Sequence, residues 1–376
     1  MILIDATPLQ SEHRFRGVGA YVRALVSHVE AAGDVLPRYL ASWQDRDLIR
    51  DVLPSARTLT LPRPHRPAQV YWLYNEAFLR AALLRVQPHV FLAPDFNGLV
   101  RNPFGKTVAV LYDLTALKLN PGAPRPTGLS ERLSDWRWRT YHHKLRRADH
   151  IIAISESARR DATEMLGIRP DTMTVIHLGV DHDRFRPTAG EGAFAGQPPY
   201  VLAIGGRGEN KNQARILEAF SRVAGEHPGV RLYFAGPWRE PDLAWLRDLN
   251  RRYRLEGRAE HLGYVADADL PSLYGNATAF VFPSLEEGFG LPVLEAMACG
   301  TPVITSTTSS LPEVAGDAAL KVDPHSVDAI EAAMREVLGR PGLRAELARR
   351  GIERAAAFTW QRTARETIAL LKRVSG

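Results

Sequence analysis

Glu287 and Glu295 stand eight positions apart in EEGFGLPVLEAMACGTPV, residues 286–303, with Gly288 and Gly290 between them. An ionised carboxylate accepts hydrogen bonds from both hydroxyls of a vicinal diol, and each such charged bond contributes about 1.5–3 kcal/mol. Pro292 suits the start of a helix and Gly300 the residue just past its end, so a short helix is expected over residues 293–299. An apolar strand expected over 278–282 runs into the glycine turn. Strand, turn and helix N-terminus together form an anion site, because the first-turn N–H groups and the helix dipole both favour negative charge. Phosphate beside hydroxyls describes a sugar nucleotide. Residue types alone leave a plainer alternative open, in which Glu287 is a solvated loop acid and Glu295 a dipole-favoured acid of the first helical turn.

Three further groups of residues carry chemistry. In GGRGENKN, residues 205–212, Lys211 stands at the entrance to a helix expected from about Asn212, with Arg207 four positions earlier. Cations there would offset the charge that grows on a departing diphosphate; otherwise both lie on a solvated loop. Gly17 and Gly19, in RGVG at 16–19, fall between a first strand and a helix expected over about 20–29, where glycine lets backbone approach a ligand. As a dinucleotide fingerprint this fails, since Val22 occupies the last glycine position. Asp113 follows Tyr112 at the end of a strand in VAVLYDLTAL, and the carboxyl ends of strands are where α/β folds place function. Asp113 either orients an acceptor hydroxyl or caps a turn. His142 and His143 are adjacent and so diverge on a helix, and no Asp-x-Asp is suited to holding a metal on a diphosphate.

These residues need a frame of parallel strands. At 376 residues and 45% hydrophobic content the chain accommodates two domains of roughly 150–200 residues. Short apolar runs at 2–5, 90–93, 108–112, 151–154 and 174–177 alternate with helical segments. A second series follows at 200–204, 231–235, 261–264, 278–282 and 303–305, giving an α/β fold with parallel sheets. The glycine- and proline-rich residues 179–199 place the boundary near 190, giving domains 1–190 and 191–359. No run of 18 apolar residues occurs, and MILIDATPLQ has no basic leader, so a cytoplasmic protein without a secretory signal is expected. Cys299, the single cysteine, reads as a buried packing residue.

The net charge of +6 is uneven: through residue 190 there are 26 basic and 19 acidic residues (+7), and beyond it 22 and 23 (−1). A basic N-terminal half suits an acidic acceptor or peripheral contact with an anionic membrane at its inner face. Nucleic acid is disfavoured, because aromatic residues are not interleaved with the basic ones as stacking platforms require. The segment 129–147, with WRWRTYHHKLRR, reads as a core-packed helix with a solvated basic face.

The run EGFGLPVLEAMACGTPV resembles the signature of family 4 retaining nucleotide-sugar glycosyltransferases, whose glutamate, seven residues, glutamate pattern fits Glu287 and Glu295. That resemblance implies the GT-B fold, two Rossmann-like domains with parallel sheets facing a cleft. It implies that Glu287 contacts the transferred sugar and Glu295 the nucleotide ribose, with Gly288, Phe289, Gly290 and Leu291 lying against the donor. Arg207 and Lys211 match the family's cationic pair, Gly17 and Gly19 its first donor loop, and Asp113 an acceptor-side residue. Many relatives carry histidine where this chain has Tyr112. The closing helix, 360–376, resembles a segment that packs back on the first domain. The implied function is metal-independent, cofactor-free transfer of a hexose from a nucleotide sugar to a glycan or lipid-linked acceptor of surface polysaccharide. LPEVAGDAAL, 311–320, tilts the donor towards GDP-mannose over a UDP-sugar. The alternatives are a catalytically silent sugar-nucleotide binder and a dinucleotide oxidoreductase, the latter lacking its fingerprint.

Overall fold

The protein is described from a computed structural model, which describes residues 1–11, 17–32, 36–43, 46–61, 71–119 and 129–376. Contacts divide the chain into two units, Met1–Gly179 with Trp360–Gly376, and Val180–Thr359. The division falls at 179/180, where composition had suggested 190, because residues 180–199 already bond to the second unit: Thr188 Oγ1 donates to the Pro271 carbonyl and the Gly190 N–H to Asn276 Oδ1.

The first unit holds a seven-stranded parallel sheet in the order β3-β2-β1-β4-β5-β6-β7. Its strands are β1 (Ile2–Asp5), β2 (Arg38–Ser42), β3 (Thr58–Leu61), β4 (Val90–Ala93), β5 (Lys106–Leu111), β6 (His150–Ala153) and β7 (Met173–Val175). β1 and β4 are buried at every residue, as strands covered by helices on both faces must be. That burial explains why their unbroken apolar runs were legible. β2 and β3 were not anticipated. RYLAS is led by an arginine and TLTL mixes threonine with leucine, so neither forms an apolar run.

The second unit holds a six-stranded parallel sheet in the order β10-β9-β8-β11-β12-β13. Its strands are β8 (Tyr200–Ile204), β9 (Arg231–Ala235), β10 (Ala259–His261), β11 (Ala279–Phe282), β12 (Val303–Ser306) and β13 (Leu320–Val322). β13 is only three residues long, too short to show a pattern. In both sheets the winding reverses next to the first strand, between β1 and β4 and between β8 and β11. Such a reversal leaves a crevice at the carboxyl ends of the two strands, the usual ligand site of open α/β sheets.

The helix Trp360–Ser375 belongs with the first unit. It packs along the helix Gly17–Ala32, where the hydroxyls of Tyr21 and Thr367 lie 3.1 Å apart, and Thr363 Oγ1 donates to the His177 carbonyl at 2.7 Å. The early start of Gly17–Ala32 corrects the sequence reading: Gly17 and Gly19 lie within the first turn of this helix, and the helix does not wait for Ala20. Low glycine propensity is overridden here by tertiary packing, since Tyr21, Val22, Leu25 and Val26 are all buried.

Candidate active site

Two loops meet at the reversal of the second sheet. One follows β8 and passes through a single 3-10 turn, Glu209–Lys211, into the helix Gln213–Val223. The other follows β11 and carries Glu287 into the helix Leu291–Ala298. They are stitched together by the Leu285 N–H donating to the Asn210 carbonyl at 2.8 Å and by Asn210 Nδ2 donating to the Glu286 carbonyl at 3.3 Å. This stitching brings Lys211 and Glu287, 76 residues apart in sequence, into an ion pair of 2.5 Å. Lys211 Nζ also lies 4.9 Å from the centre of the Phe282 ring. With side-chain exposures of 22% and 13%, the pair is largely withdrawn from bulk water, where charges interact more strongly.

The glycine turn is held from behind. Ser310 Oγ donates to the carbonyls of Glu287 at 2.9 Å and Phe289 at 2.8 Å, and the Glu287 N–H donates to Ser309 Oγ at 3.1 Å. Gly290 caps the helix with φ of 111°, a left-handed conformation, and an added Cβ would lie 2.7 Å from Leu311 Cδ2. Only glycine meets both conditions. The helix spans Leu291–Ala298, two residues earlier at its start than the expected 293–299. Pro292 has no N–H, and the N–H groups of Val293 and Leu294 both turn onto the Gly290 carbonyl, at 2.9 and 3.3 Å. Donors for an anion therefore have to come from the turn and the very start of the helix, a smaller cradle than a full first turn.

Glu295 is the fifth residue of this helix and not a first-turn acid, so the dipole does not explain it. Its Oε2 accepts a hydrogen bond of 2.9 Å from the buried Tyr274 hydroxyl. Among the described residues no cation forms an ion pair with it. Burial pushes its pKa up from the ordinary 4.5, against the lowering effects of Tyr274 and a more distant Arg184. Cys299 lies near it, a buried thiol whose pKa burial pushes up to about 12, consistent with packing and not with reactivity.

Arg207 is not gathered in with Lys211. Its guanidinium donates to Asp242 Oδ1 at 3.2 Å and stacks over the Trp245 ring at 4.4 Å, both on the helix Glu240–Tyr253. In the first unit Asp113 is exposed, and its Oδ1 accepts the Thr115 N–H at 3.0 Å, capping the helix Thr115–Leu119. The cap is thus formed through one oxygen, Oδ1. Tyr112 lies edge-on to Tyr21 at 6.4 Å, and its hydroxyl is buried without a partner among the described residues. Burial holds its phenol far above the ordinary range. Gly17 and Gly19 were placed above, and Arg16 of the same loop lies outside the described residues.

Sequence reasoning missed Tyr274, Ser309, Ser310 and the Asp242–Trp245 seat of Arg207, and assigned no role to Phe282 or Asn210. Only the folded loops bring these residues to the site. A hollow of about 510 Å³ in the second unit lies at the opposite ends of the strands, beside Pro199, Val230, Thr278 and Pro302. Its one cation, Arg344, is committed to the carbonyls of Val337 and Leu338. We place the chemistry at the loop junction, where the polar groups converge. Among the described residues no group of three His, Cys, Asp or Glu is arranged to hold a metal, and no helix is long and apolar enough to cross a membrane.

Two family models match the chain in succession: Glycosyltransferase Family 4 matches residues 15–184, and Glycosyl transferases group 1 matches residues 188–354. The chain belongs to this family of glycosyltransferases. It is 36% identical to O-antigen chain mannosyltransferase B of Escherichia coli over 245 residues, covering 62% of this chain and 63% of that protein. It is 29% identical to the serotype-specific mannosyltransferase WbdA of Escherichia coli, over 96% of this chain but 47% of WbdA. The match thus spans only about half to two thirds of these relatives' length. Sucrose-phosphate synthase from Thermosynechococcus elongatus superimposes with a TM-score of 0.77 at 21% identity, over 99% of this chain and 98% of that one. The fold is therefore GT-B.

Proposed function

We propose that the protein is a retaining glycosyltransferase that moves a hexose from a nucleotide diphosphate sugar to a glycan or lipid-linked acceptor in surface polysaccharide synthesis, with GDP-mannose the favoured donor. The observation that carries this reading is the Lys211–Glu287 pair at the reversal of the second sheet, on the same loop and helix as the half-buried Glu295. A diphosphate needs a fixed cation and a sugar needs hydroxyl acceptors, and this junction supplies both. The mannosyltransferases among the relatives support the choice of sugar.

In the proposed reaction the bond between the anomeric carbon and the diphosphate oxygen breaks while the acceptor oxygen bonds to the same face of that carbon. The acceptor proton passes to the departing diphosphate, so no protein nucleophile is required. Lys211 spends one donor on Glu287 and has two more for phosphate oxygens, where it offsets the growing charge without reorganising. Glu287, already oriented by Lys211, accepts a hydroxyl of the moving sugar. Glu295 accepts the ribose hydroxyls, and Gly288, Phe289, Gly290 and Leu291 pass close to the donor. Arg207 joins only by leaving Asp242 and Trp245. Asp113 keeps its cap through Oδ1 and offers Oδ2 to an acceptor hydroxyl. Metal independence and peripheral membrane contact are parts of the same reading, tested by activity in a chelator and by sedimentation with anionic vesicles.

The direct test is incubation with a panel of nucleotide sugars and glycan acceptors, reading nucleoside diphosphate release and product anomer. Transfer with retained configuration is expected, fastest with GDP-mannose. Inverted product would remove the mechanism, and no turnover of any donor would remove the activity. Tyr112, standing where many relatives have histidine, is the feature that favours a silent binder. A donor held tightly and never consumed would establish that reading instead.

A further inference from the structure

Glu295 is an unusual carboxylate to leave inside a protein. A buried charge is normally paired with a cation or hydrogen-bonded by several donors, because losing water costs several kcal/mol. Here the guanidinium in the neighbourhood, Arg184, is engaged elsewhere: it donates to the Asp267 carbonyl at 2.5 Å and lies 3.8 Å from the Asp267 carboxylate. Among the described residues the only donor on the Glu295 carboxylate is the neutral phenol of Tyr274, on Oε2. Oε1 takes no donor and is not enclosed.

The phenol itself is fixed. Tyr274, in the helix Leu270–Gly275, is 1% exposed. Its ring is edge-on to Phe280 at 5.4 Å and to Phe185 at 6.1 Å. Its carbonyl accepts the Thr301 hydroxyl at 2.7 Å, tying this helix to the residues that follow the glutamate helix. A ring held on two sides gives its hydroxyl one position. One oxygen pinned to that position sets the plane of the carboxylate and the direction of the other oxygen.

We propose that Tyr274 is a positioning residue for ribose recognition: it pins Oε2 of Glu295 so that Oε1, open and unshared, is presented to the donor's ribose diol. This rests on the assignment of Glu295 to the ribose. The phenol never touches the nucleotide, yet selectivity for a ribose diol depends on it. Fixing an acceptor before binding removes an ordering cost that the ligand would otherwise meet.

The experiment compares GDP and UDP with their 2′,3′-dideoxy analogues by titration calorimetry, using the full chain as wild type, Tyr274→Phe and Glu295→Asp. Wild type is expected to prefer the better ribonucleotide over its dideoxy form by about 10- to 100-fold, the value of one or two hydrogen bonds to a charged group. Tyr274→Phe keeps the ring and should lose most of that preference, with dideoxy affinity within about twofold of wild type. Glu295→Asp draws the carboxylate back from the phenol and should lose it similarly, which keeps the idea testable if Tyr274→Phe does not fold. Equal weakening of both ligands by Tyr274→Phe, or a full preference surviving in either variant, would overturn the positioning role while leaving Glu295 on the ribose. A wild type that binds ribo and dideoxy forms alike, or binds neither nucleotide, would overturn the ribose assignment and this proposal with it.

Discussion

Glu287 and Glu295 are eight residues apart on one loop and helix, yet they sit in opposite electrostatic settings. Glu287 faces Lys211 at 2.5 Å, so its charge is balanced on the spot and its position is tied to a cation. Among the described residues Glu295 has only a neutral phenol, and burial pushes it towards its protonated form. A paired carboxylate is a rigid part of a charge array, suited to a step in which charge moves. An unpaired, desolvated one is a strained acceptor whose stability improves when a ligand supplies the missing donors. The difference predicts that the first glutamate acts on turnover and the second on binding.

The largest expected effect comes from breaking the paired side. Lys211→Ala should lower the single-turnover rate by about 10²–10³-fold, with donor affinity changed much less. Glu287→Gln should also lower turnover more than binding, and the double variant should fall short of the product of the two single losses, since each residue orients the other. Rates unchanged by Lys211→Ala, or strictly multiplicative effects, would break the claim that the pair acts as a unit.

On the unpaired side, Glu295→Gln should weaken donor binding by about 10- to 100-fold and leave the chemical rate at saturation nearly intact. The same substitution should raise Tm at neutral pH. The sign follows from linkage: the folded pKa lies above the ordinary 4.5, so the native state holds the proton more tightly than the unfolded chain. The stability this gives is complete below about pH 4.5 and is lost as pH rises through the folded pKa. Glutamine removes that loss. A Tm lowered at neutral pH by Glu295→Gln would contradict the burial argument.

Donor binding should run the other way with pH. The ionised carboxylate is the better acceptor for a diol, so affinity should weaken as pH falls through the raised pKa of Glu295, and binding should release a proton. The charged and titratable groups around it are Tyr274, Arg184, Asp267 and Cys299. The nucleotide's own phosphate also titrates, so the measurement is the difference between wild type and Glu295→Gln. Identical pH profiles would dissociate Glu295 from the ligand.

Much of this contrast was hidden in the sequence. The spacing of Glu287 and Glu295, the proline and glycine that bound their helix and the long apolar strands were legible because each depends on neighbours in the chain. β8 and β11 read clearly since strands buried on both faces are apolar throughout. What could not be read is what comes together across the chain. Lys211 meets Glu287 only because the winding reverses between β8 and β11, and Tyr274 meets Glu295 only through the packing of two short helices. The separate roles of the two glutamates rested on the family resemblance, while their opposite surroundings depend on these long-range contacts. Gly17 and Gly19 show the opposite error, a local glycine signal for a turn overruled by a helix that packs on Trp360–Ser375.

The smallest effect is expected at Arg207, and it sharpens the comparison from the cationic side. Lys211 and Arg207 are four residues apart, yet of the two Lys211 alone pairs with a glutamate of the site. Arg207 is held by Asp242 and Trp245 on the helix Glu240–Tyr253. A cation already shared between a carboxylate and an indole face has little attraction left for a diphosphate unless the ligand outbids both. Arg207→Ala should therefore reduce turnover by no more than about tenfold, far below the loss at Lys211. Freeing the arginine with Asp242→Asn is the informative counterpart. If Arg207 swings to the donor during the reaction, that variant should bind nucleotide at least as tightly as wild type, and combining it with Arg207→Ala should abolish the gain. A loss at Arg207→Ala equal to that at Lys211→Ala would mean that the seat on Trp245 is only where the arginine waits.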